Sequence, residues 1–381
     1  MTTIAKKTDK DPVIVVLQLS GGNDYLNTIV PYNSFEYRDY RPIVNVEEND
    51  VIPVTNSVGM HPAMAPLADM YKDGKMAIIH GVGYENSVRS HFRSMDIWHT
   101  CEPDKLGTEG WLGRTIKDID PNKENVVTGV SIGPSLYRAL VAPGVPIATV
   151  ENLDSYGLLT DISPEDKRDR VLDRYKKMYS STVGTGPVMD FLSQTGLDAL
   201  KGADILNVAP EMYSSSVEYA DNSISKKLKS IAKVHLADLG TRIFYCDHGS
   251  FDTHANQLAS HRYLWDTASV AIRDFFDDLK EHNAADNVIM FIFSEFGRRV
   301  RDNGAGTDHG SGGVCMVIGD SVTGGEYGEY PSMKESDLDQ GDLVPDMDFR
   351  SVYTAIIEDW MKLDPVPIVG GTFEKPSFIT N

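Results

Sequence analysis

Three cysteines in 381 residues, Cys101, Cys246 and Cys315, are too few and too widely spaced for a disulfide framework, and no CxxC pair is present to build a zinc finger. Cys246 and Cys315 lie inside apolar runs, where a free thiol packs as a small hydrophobe. Positive charge is also scarce. Lysine and arginine number 36 against 56 acidic residues, a formal charge of -20. That field repels nucleic-acid phosphates and anionic lipid surfaces, which disfavours both as partners, and no nucleic-acid partner is expected. It repels anionic substrates as well, unless a bound cation reverses the local sign.

Long hydrophobic runs are missing. No stretch approaches about 18 uninterrupted apolar residues, so no membrane span is expected. The segment from Met1 to Asp11 is polar, carries three lysines and lacks twin arginines, and the first apolar run, Val13 to Leu17, is too short and too β-branched for a signal peptide. The sequence therefore reads as cytoplasmic, or as exported if a leader has been trimmed. Internal repeats and low-complexity tracts are absent too. No GKS or GKT follows the glycine-rich stretch 303–313, so it is not a nucleotide-binding P-loop.

What remains is ordinary globular composition, 41% hydrophobic and 24% charged, punctuated by short β-branched runs. Val13–Leu19, Met76–His80, Arg242–Cys246, Val288–Phe293 and Val314–Ile318 read as strands buried on both faces. Between them lie helical patterns: a helix opened by Pro62 and reaching Tyr71, a long one over Gln257–Glu281, and a short one over Arg350–Met361. The alternation predicts an α/β fold, a mainly parallel central sheet with helices on both faces. Residues 151–239 break it with polar, helical patterns over 164–179, 187–206 and 224–239, so the expected organisation is one domain over 1–381 carrying a helical insertion at 151–239.

Four clusters of polar residues follow strand ends, where open parallel sheets bind ligands. Ser20 to Asn27 contains Gly21-Gly22, which permits a sharp turn, and Asp24, which either offers a carboxylate to a cation or caps a helix. Val88-Arg89-Ser90-His91-Phe92 places Ser90 as a helix N-cap first and a hydroxyl nucleophile second, with Arg89 beside it for an oxyanion. Asp247 to His254 holds Asp252 and His254 two apart, a spacing that puts both on one side of an extended segment, and carboxylate with imidazole suits zinc, manganese or iron. Asp247 and His248 lie just upstream. Finally, Ser294-Glu295-Phe296-Gly297-Arg298-Arg299 ends a strand with a carboxylate that needs a partner, and Asp308-His309 sit on the glycine-rich stretch that follows. His61, His80, His99, His235, His261 and His282 have no clustered partners and read as packing or surface residues.

Taken together and in order, GGNDYLNTIVP, RSHFRSMD, GWLGR, FDTHANQL, SEFGRRV, TDHGSGGV and DFRSVY resemble the bacterial DUF1501 family over essentially the whole chain. Tyr25 stands where the family usually has glycine, and the family's common twin-arginine leader is absent. The family looks like the alkaline phosphatase and sulfatase clan. That likeness implies Asp24, Asp252, His254 and His309 as metal ligands, Glu295 in the place of a further ligand pair and Ser90 at the nucleophile position. Asp308, beside His309, joins the candidate ligands from its place on the glycine-rich stretch. Arg89 or Arg298 would act as oxyanion clamp. Phe296 follows Glu295 where the clan carries an Asp-His pair, which implies that one of two metal sites is weakened or lost. The function so implied is hydrolysis of small phosphate or sulfate esters with a divalent metal: zinc, manganese, iron, calcium or magnesium. A binding or assembly protein that keeps the fold and a degenerate site is the alternative.

Overall fold

The computed structural model describes residues 10–153 and 187–380, with six scattered positions between 167 and 177. Its principal strands are β1 (Val13–Leu19), β2 (Met76–Gly83), β3 (Gly129–Ile132), β4 (Ala148–Val150), β5 (Ile243–His248), β6 (Val288–Phe293), β7 (Arg298–Asp302), β8 (Thr307–His309), β9 (Gly313–Gly319), β10 (Gly325–Tyr327) and β11 (Met347–Asp348), beside a small sheet of Ile29–Val30, Ile52–Pro53 and Gly59–Met60. The principal helices are α1 (Ala65–Lys72), α2 (His91–Thr100), α3 (Trp111–Ile119), α4 (Pro187–Leu206), α5 (Ser223–Leu236), α6 (Gln257–Glu281) and α7 (Phe349–Ala355).

One nine-stranded sheet runs in the order β10-β2-β9-β6-β1-β5-β3-β4, with β11 also on β2. Strand β9 is antiparallel to both its neighbours and the remaining ladders are parallel. The fold is thus α/β with a mostly parallel sheet, as the alternating pattern predicts; the reversal of β9 leaves no mark in a continuous apolar run. The five strands expected from sequence all form, three of them a residue or more longer than read. The short β3, β4, β10 and β11 and the β7-β8 hairpin were not foreseen.

Burial explains why these runs read as continuous. Every residue of β1 and β6 is buried. Alternate side chains point to opposite faces. On one face Val13, Val15 and Leu17 of β1 and Met290 of β6 meet Trp265, Ile272 and Phe275 of α6. On the other, Ile14, Val16, Phe291 and Phe293 meet Trp98 of α2, Trp111 of α3 and Tyr353 of α7. With apolar layers on both sides, the polar positions are pushed to the strand ends. All three cysteines are buried free thiols. No helix among the described residues is long and apolar enough to cross a membrane.

The sequence patterns over 187–206 and 224–239 correspond to α4 and α5, whereas most of the pattern over 164–179 lies outside the described residues. The helix expected to open at Pro62 begins as a 3-10 turn, Pro62–Met64, before α1. The one expected over Arg350–Met361 is α7 continued by a π-turn, Ile356–Trp360.

Topology positions the polar clusters. Strands β6, β1 and β5 are neighbours at the centre of the sheet and parallel, in a register that pairs Gln18 with both Phe293 and Asp247. Their C-terminal loops therefore leave the same edge side by side. Gly21, after β1, has φ +122, and a Cβ there would lie 2.8 Å from the Phe251 carbonyl carbon of the loop after β5. Its N–H donates to Glu295 Oε1, after β6, at 2.9 Å. Gly22 has φ +76, and a Cβ on it would strike the Phe296 ring, 2.7 Å from Cδ2. Both glycines are required by conformation and by close approach. Gly21→Ala is expected to cost at least about 2 kcal/mol, the sum of a strained backbone and a displaced loop. Chemical denaturation reads this directly, and an unchanged midpoint would show that the three loops are not wedged together at Gly21.

Candidate metal centre

Four side chains from three loops converge at this edge. His91 is the first residue of α2, Asp252 and His254 lie on the loop after β5, and His309 ends the β7-β8 hairpin. His309 Nε2 is 3.0 Å from His91 Nε2, 3.0 Å from His254 Nε2 and 3.1 Å from Asp252 Oδ1. Asp252 Oδ1 is also 3.0 Å from His254 Nε2, and its Oδ2 is 3.5 Å from His91 Nε2. His91, Asp252 and His309 each offer a donor atom within 4.8 Å of the others. Ligands on a tetrahedral zinc at about 2.0–2.1 Å sit roughly 3.3 Å apart, close to this spacing.

The opposite ring nitrogens decide what these atoms can do. His91 Nδ1 is 2.7 Å from Glu295 Oε1, His254 Nδ1 is 3.1 Å from Asp308 Oδ1, and His309 Nδ1 is 2.9 Å from the Arg89 carbonyl. Ionised carboxylates and carbonyls only accept, so each Nδ1 is the donor, and each neutral ring turns its Nε2 lone pair inward. The His309 lone pair faces those of His91 and His254 at 3.0 Å each, with the Asp252 carboxylate 3.0–3.5 Å from all three rings, and such groups repel unless a cation, proton or metal, sits among them. Anchored Nδ1–H groups of this kind fix ring orientation at metal-binding histidines. The donor set and its surroundings fit a divalent ion.

Local electrostatics favour cations too. The Glu295 hydrogen bond raises the His91 pKa above the usual imidazole value; burial opposes it, and the charges of Glu295 and Asp252 add to it. For Asp252, partial burial pushes the carboxyl up, but the hydrogen bond and charge of Arg298 outweigh it, joined by His309 and His254 when a proton sits on their inward nitrogens, and take it to about 2. Asp308 is lowered, chiefly by the Asn303 amide and also by His254, against its partial burial.

The structure divides the residues singled out in the sequence. Asp252, His254 and His309 present donor atoms. Glu295 is buried and stands behind His91 instead of among the donors, its other oxygen 3.0 Å from Ser294 Oγ. Asp308 stands likewise behind His254. Asp24 lies elsewhere: it is fully buried, with Oδ2 and Oδ1 on Arg41 at 2.5 and 2.9 Å and a further hydrogen bond from Gln257. Burial raises its pKa, but Arg41 prevails and holds the carboxyl below its usual value. That pairing leaves it no role as a ligand.

The expected clamps are spent as well. Arg298 is wholly buried; it donates to the carbonyls of Gly21, Gly22, Phe251 and Thr307 and, at 2.6 Å, to Asp252 Oδ1. Arg89 is bound to Asp342 at 2.7 Å. Ser90 precedes α2 as its N-cap residue, but its side chain makes no cap hydrogen bond, is exposed, and does not line the cavity beside the donors. Phe296 packs against the rings of His91 and His309, centroids 5.0 Å away in each case, and so braces the donors while offering none itself. Asp247 is held by Lys227 and Tyr137, and His248 by the Leu264 carbonyl, away from the cluster.

His91 is the residue the sequence reading passed over. Its signal was present in the RSHF motif, where it stands between Ser90 and an exposed phenylalanine, but its partner Glu295 is 204 positions away. A cavity of about 730 Å³ opens beside the cluster, lined in part by Ser20, His91, Asp252 and Glu295.

The family model described as "Protein of unknown function (DUF1501)" matches residues 78–363. No curated protein matches the sequence. Among solved structures, the chain is similar to the PsFucS1 sulfatase from Pseudoalteromonas sp., with 11% identity and a TM-score of 0.39 over 97% of this chain and 70% of that one. It is also similar to alkaline phosphatase from the Antarctic bacterium TAB5, with 12% identity and a TM-score of 0.36 over 84% and 95%. The C-terminal periplasmic domain of EcEptC from Escherichia coli gives 10% identity and a TM-score of 0.40 over 98% and 90%. At that distance no neighbour's activity carries over to this chain.

Removing one partner of a buried ion pair strands the other, at a cost of about 3–5 kcal/mol. Asp24→Asn is therefore expected to destabilise the protein by that order while divalent-metal uptake by the folded fraction matches that of the native protein. Thermal melting and metal analysis of the same sample check both halves; loss of metal from a variant that remains folded would return Asp24 to the donor set.

Proposed function

The chain belongs to the DUF1501 family, and on that footing we propose that it is a metal-dependent hydrolase of small phosphate or sulfate esters, acting at His91, Asp252, His254 and His309. The observation that carries this is the set of three inward-facing Nε2 atoms, each ring anchored through its Nδ1. Imidazole-rich donors suit zinc, manganese or iron better than calcium or magnesium, which prefer all-oxygen sites. The metal would supply Lewis acidity, neutralising the ester anion and the charge that develops on it.

The chain's own groups do the rest. Glu295 and Asp308 hold the His91 and His254 rings in register through their Nδ1 protons. Arg298 fixes Asp252 from behind, so that the donors need not reorganise when substrate arrives. No free arginine among the described residues stands at the site, so the cation alone must offset the chain's negative field. Ser20 Oγ accepts from Gln18 Nε2 at 2.7 Å, which leaves its own proton free to donate into the cavity. With Ser90 off the cavity wall, water is the nucleophile that this arrangement favours.

The commitment of both Arg89 and Arg298 to internal partners favours a second reading, a binding protein with a metal but no turnover. Kinetics separate the two. Zinc- or manganese-loaded protein should hydrolyse 4-nitrophenyl phosphate or sulfate. His91→Ala or His309→Ala should lower kcat/KM by about a hundredfold or more, and Glu295→Gln should weaken metal affinity by roughly 10–100-fold. Full metal occupancy without hydrolysis of either ester would leave only the binding reading.

A further inference from the structure

We infer that the cavity beside the four donors receives the organic part of the ester and that this part is apolar and uncharged; the inference rests on the ester reading above. The cavity shares His91, Asp252 and Glu295 with the metal centre, so a group linked to a metal-held anion enters it directly. Its lining includes the apolar side chains of Phe92, Met95 and Leu106. Phe92 is 92% exposed and Leu106 76% exposed, large apolar side chains with almost no protein over them, both on the rim of one pocket. Phe92 directly follows His91, so the start of α2 that presents a donor also presents this ring.

The charged groups along the wall are answered from within. Asp96 lies between Arg93 and Arg138, each at 2.6 Å. Arg138 is thereby occupied, and it also donates to the Gly107 carbonyl. Glu295 is held by Gly21 and His91. The polar floor is engaged except for one donor, the Ser20 hydroxyl proton: Gln18 Oε1 takes the Tyr245 hydroxyl at 2.5 Å and lies 2.9 Å from His99 Nε2. Among the described residues, a second anionic group finds no spare cation here, and a cationic one finds no spare carboxylate outside the metal centre. A sugar or nucleoside would give up water hydrogen bonds against Phe92 and Leu106 without replacement. An alkyl or aryl group loses nothing there and takes water off both side chains.

Calorimetric titration of the zinc-loaded protein with hexylphosphonate and ethylphosphonate isolates this, because the two share head group and charge and neither is hydrolysed. Hexylphosphonate should bind at least about tenfold tighter, a fraction of what full burial of four methylenes would give. In the Phe92→Ala/Leu106→Ala variant the preference should shrink to within about threefold. Phe35→Ala, which removes an exposed ring outside the cavity, should keep it. Equal affinities in the native protein overturn the inference, as does a preference that survives the double variant intact. A tenfold preference without ester turnover overturns the hydrolase reading alone, and turnover with equal affinities overturns the apolar pocket alone.

Discussion

A guanidinium taken out of water must have its N–H groups accepted, and Arg298 meets that requirement by gathering three loops around itself. Its partners are the carbonyls of Gly21 and Gly22 after β1, Phe251 and the Asp252 carboxylate after β5, and Thr307 in the β7-β8 hairpin. Bonds to charged donors are stronger than neutral ones, and leaving such a donor unmet in the interior costs far more than a surface arginine would. The loops that carry Asp252, His254 and His309 are thus locked to one centre. Gly21 and Gly22 are glycines because the chains must come this close.

The same economy runs outward from the donors. Each imidazole is turned by an acceptor behind it: Glu295 for His91, Asp308 for His254, the Arg89 carbonyl for His309. The glutamate of the SEFGR motif is buried because it orients, and its arginine is buried because it ties loops. Neither touches solvent enough to serve as a ligand or clamp. Phe296, between them in sequence, supplies the apolar brace for two of the rings. A centre of this kind is rigid before any ion arrives, which favours a cation whose donors are already aimed.

How much of this could be read beforehand follows physical lines. β1, β6 and α6 were legible end to end, because burial on both faces or along one stripe leaves a pattern in every residue. That the motifs leave one edge of the sheet follows from a rule about parallel strands. Asp252 and His254, by contrast, sit on a turned loop, with Thr253 N–H on the Phe251 carbonyl and His254 N–H on the Asp252 carbonyl, and not on the extended segment that strand parity assumes. Roles were less legible, since they depend on partners distant in sequence. Nothing near Asp24 announces that Arg41, 17 residues on, will take both its oxygens. Nothing near Arg298 tells a clamp from a strut. His91 was hidden by neighbours with more familiar chemistry, and only the fold brings Glu295 to it. The antiparallel β9 was hidden because direction does not alter an apolar run.

Anomalous X-ray diffraction at the zinc edge, from crystals grown with zinc, tests the central claim most directly. A single peak is expected about 2.0–2.1 Å from the Nε2 atoms of His91, His254 and His309 and at a similar distance from an Asp252 oxygen. A peak beside Asp24, or a zinc-containing crystal with no density among the three imidazoles, would contradict it.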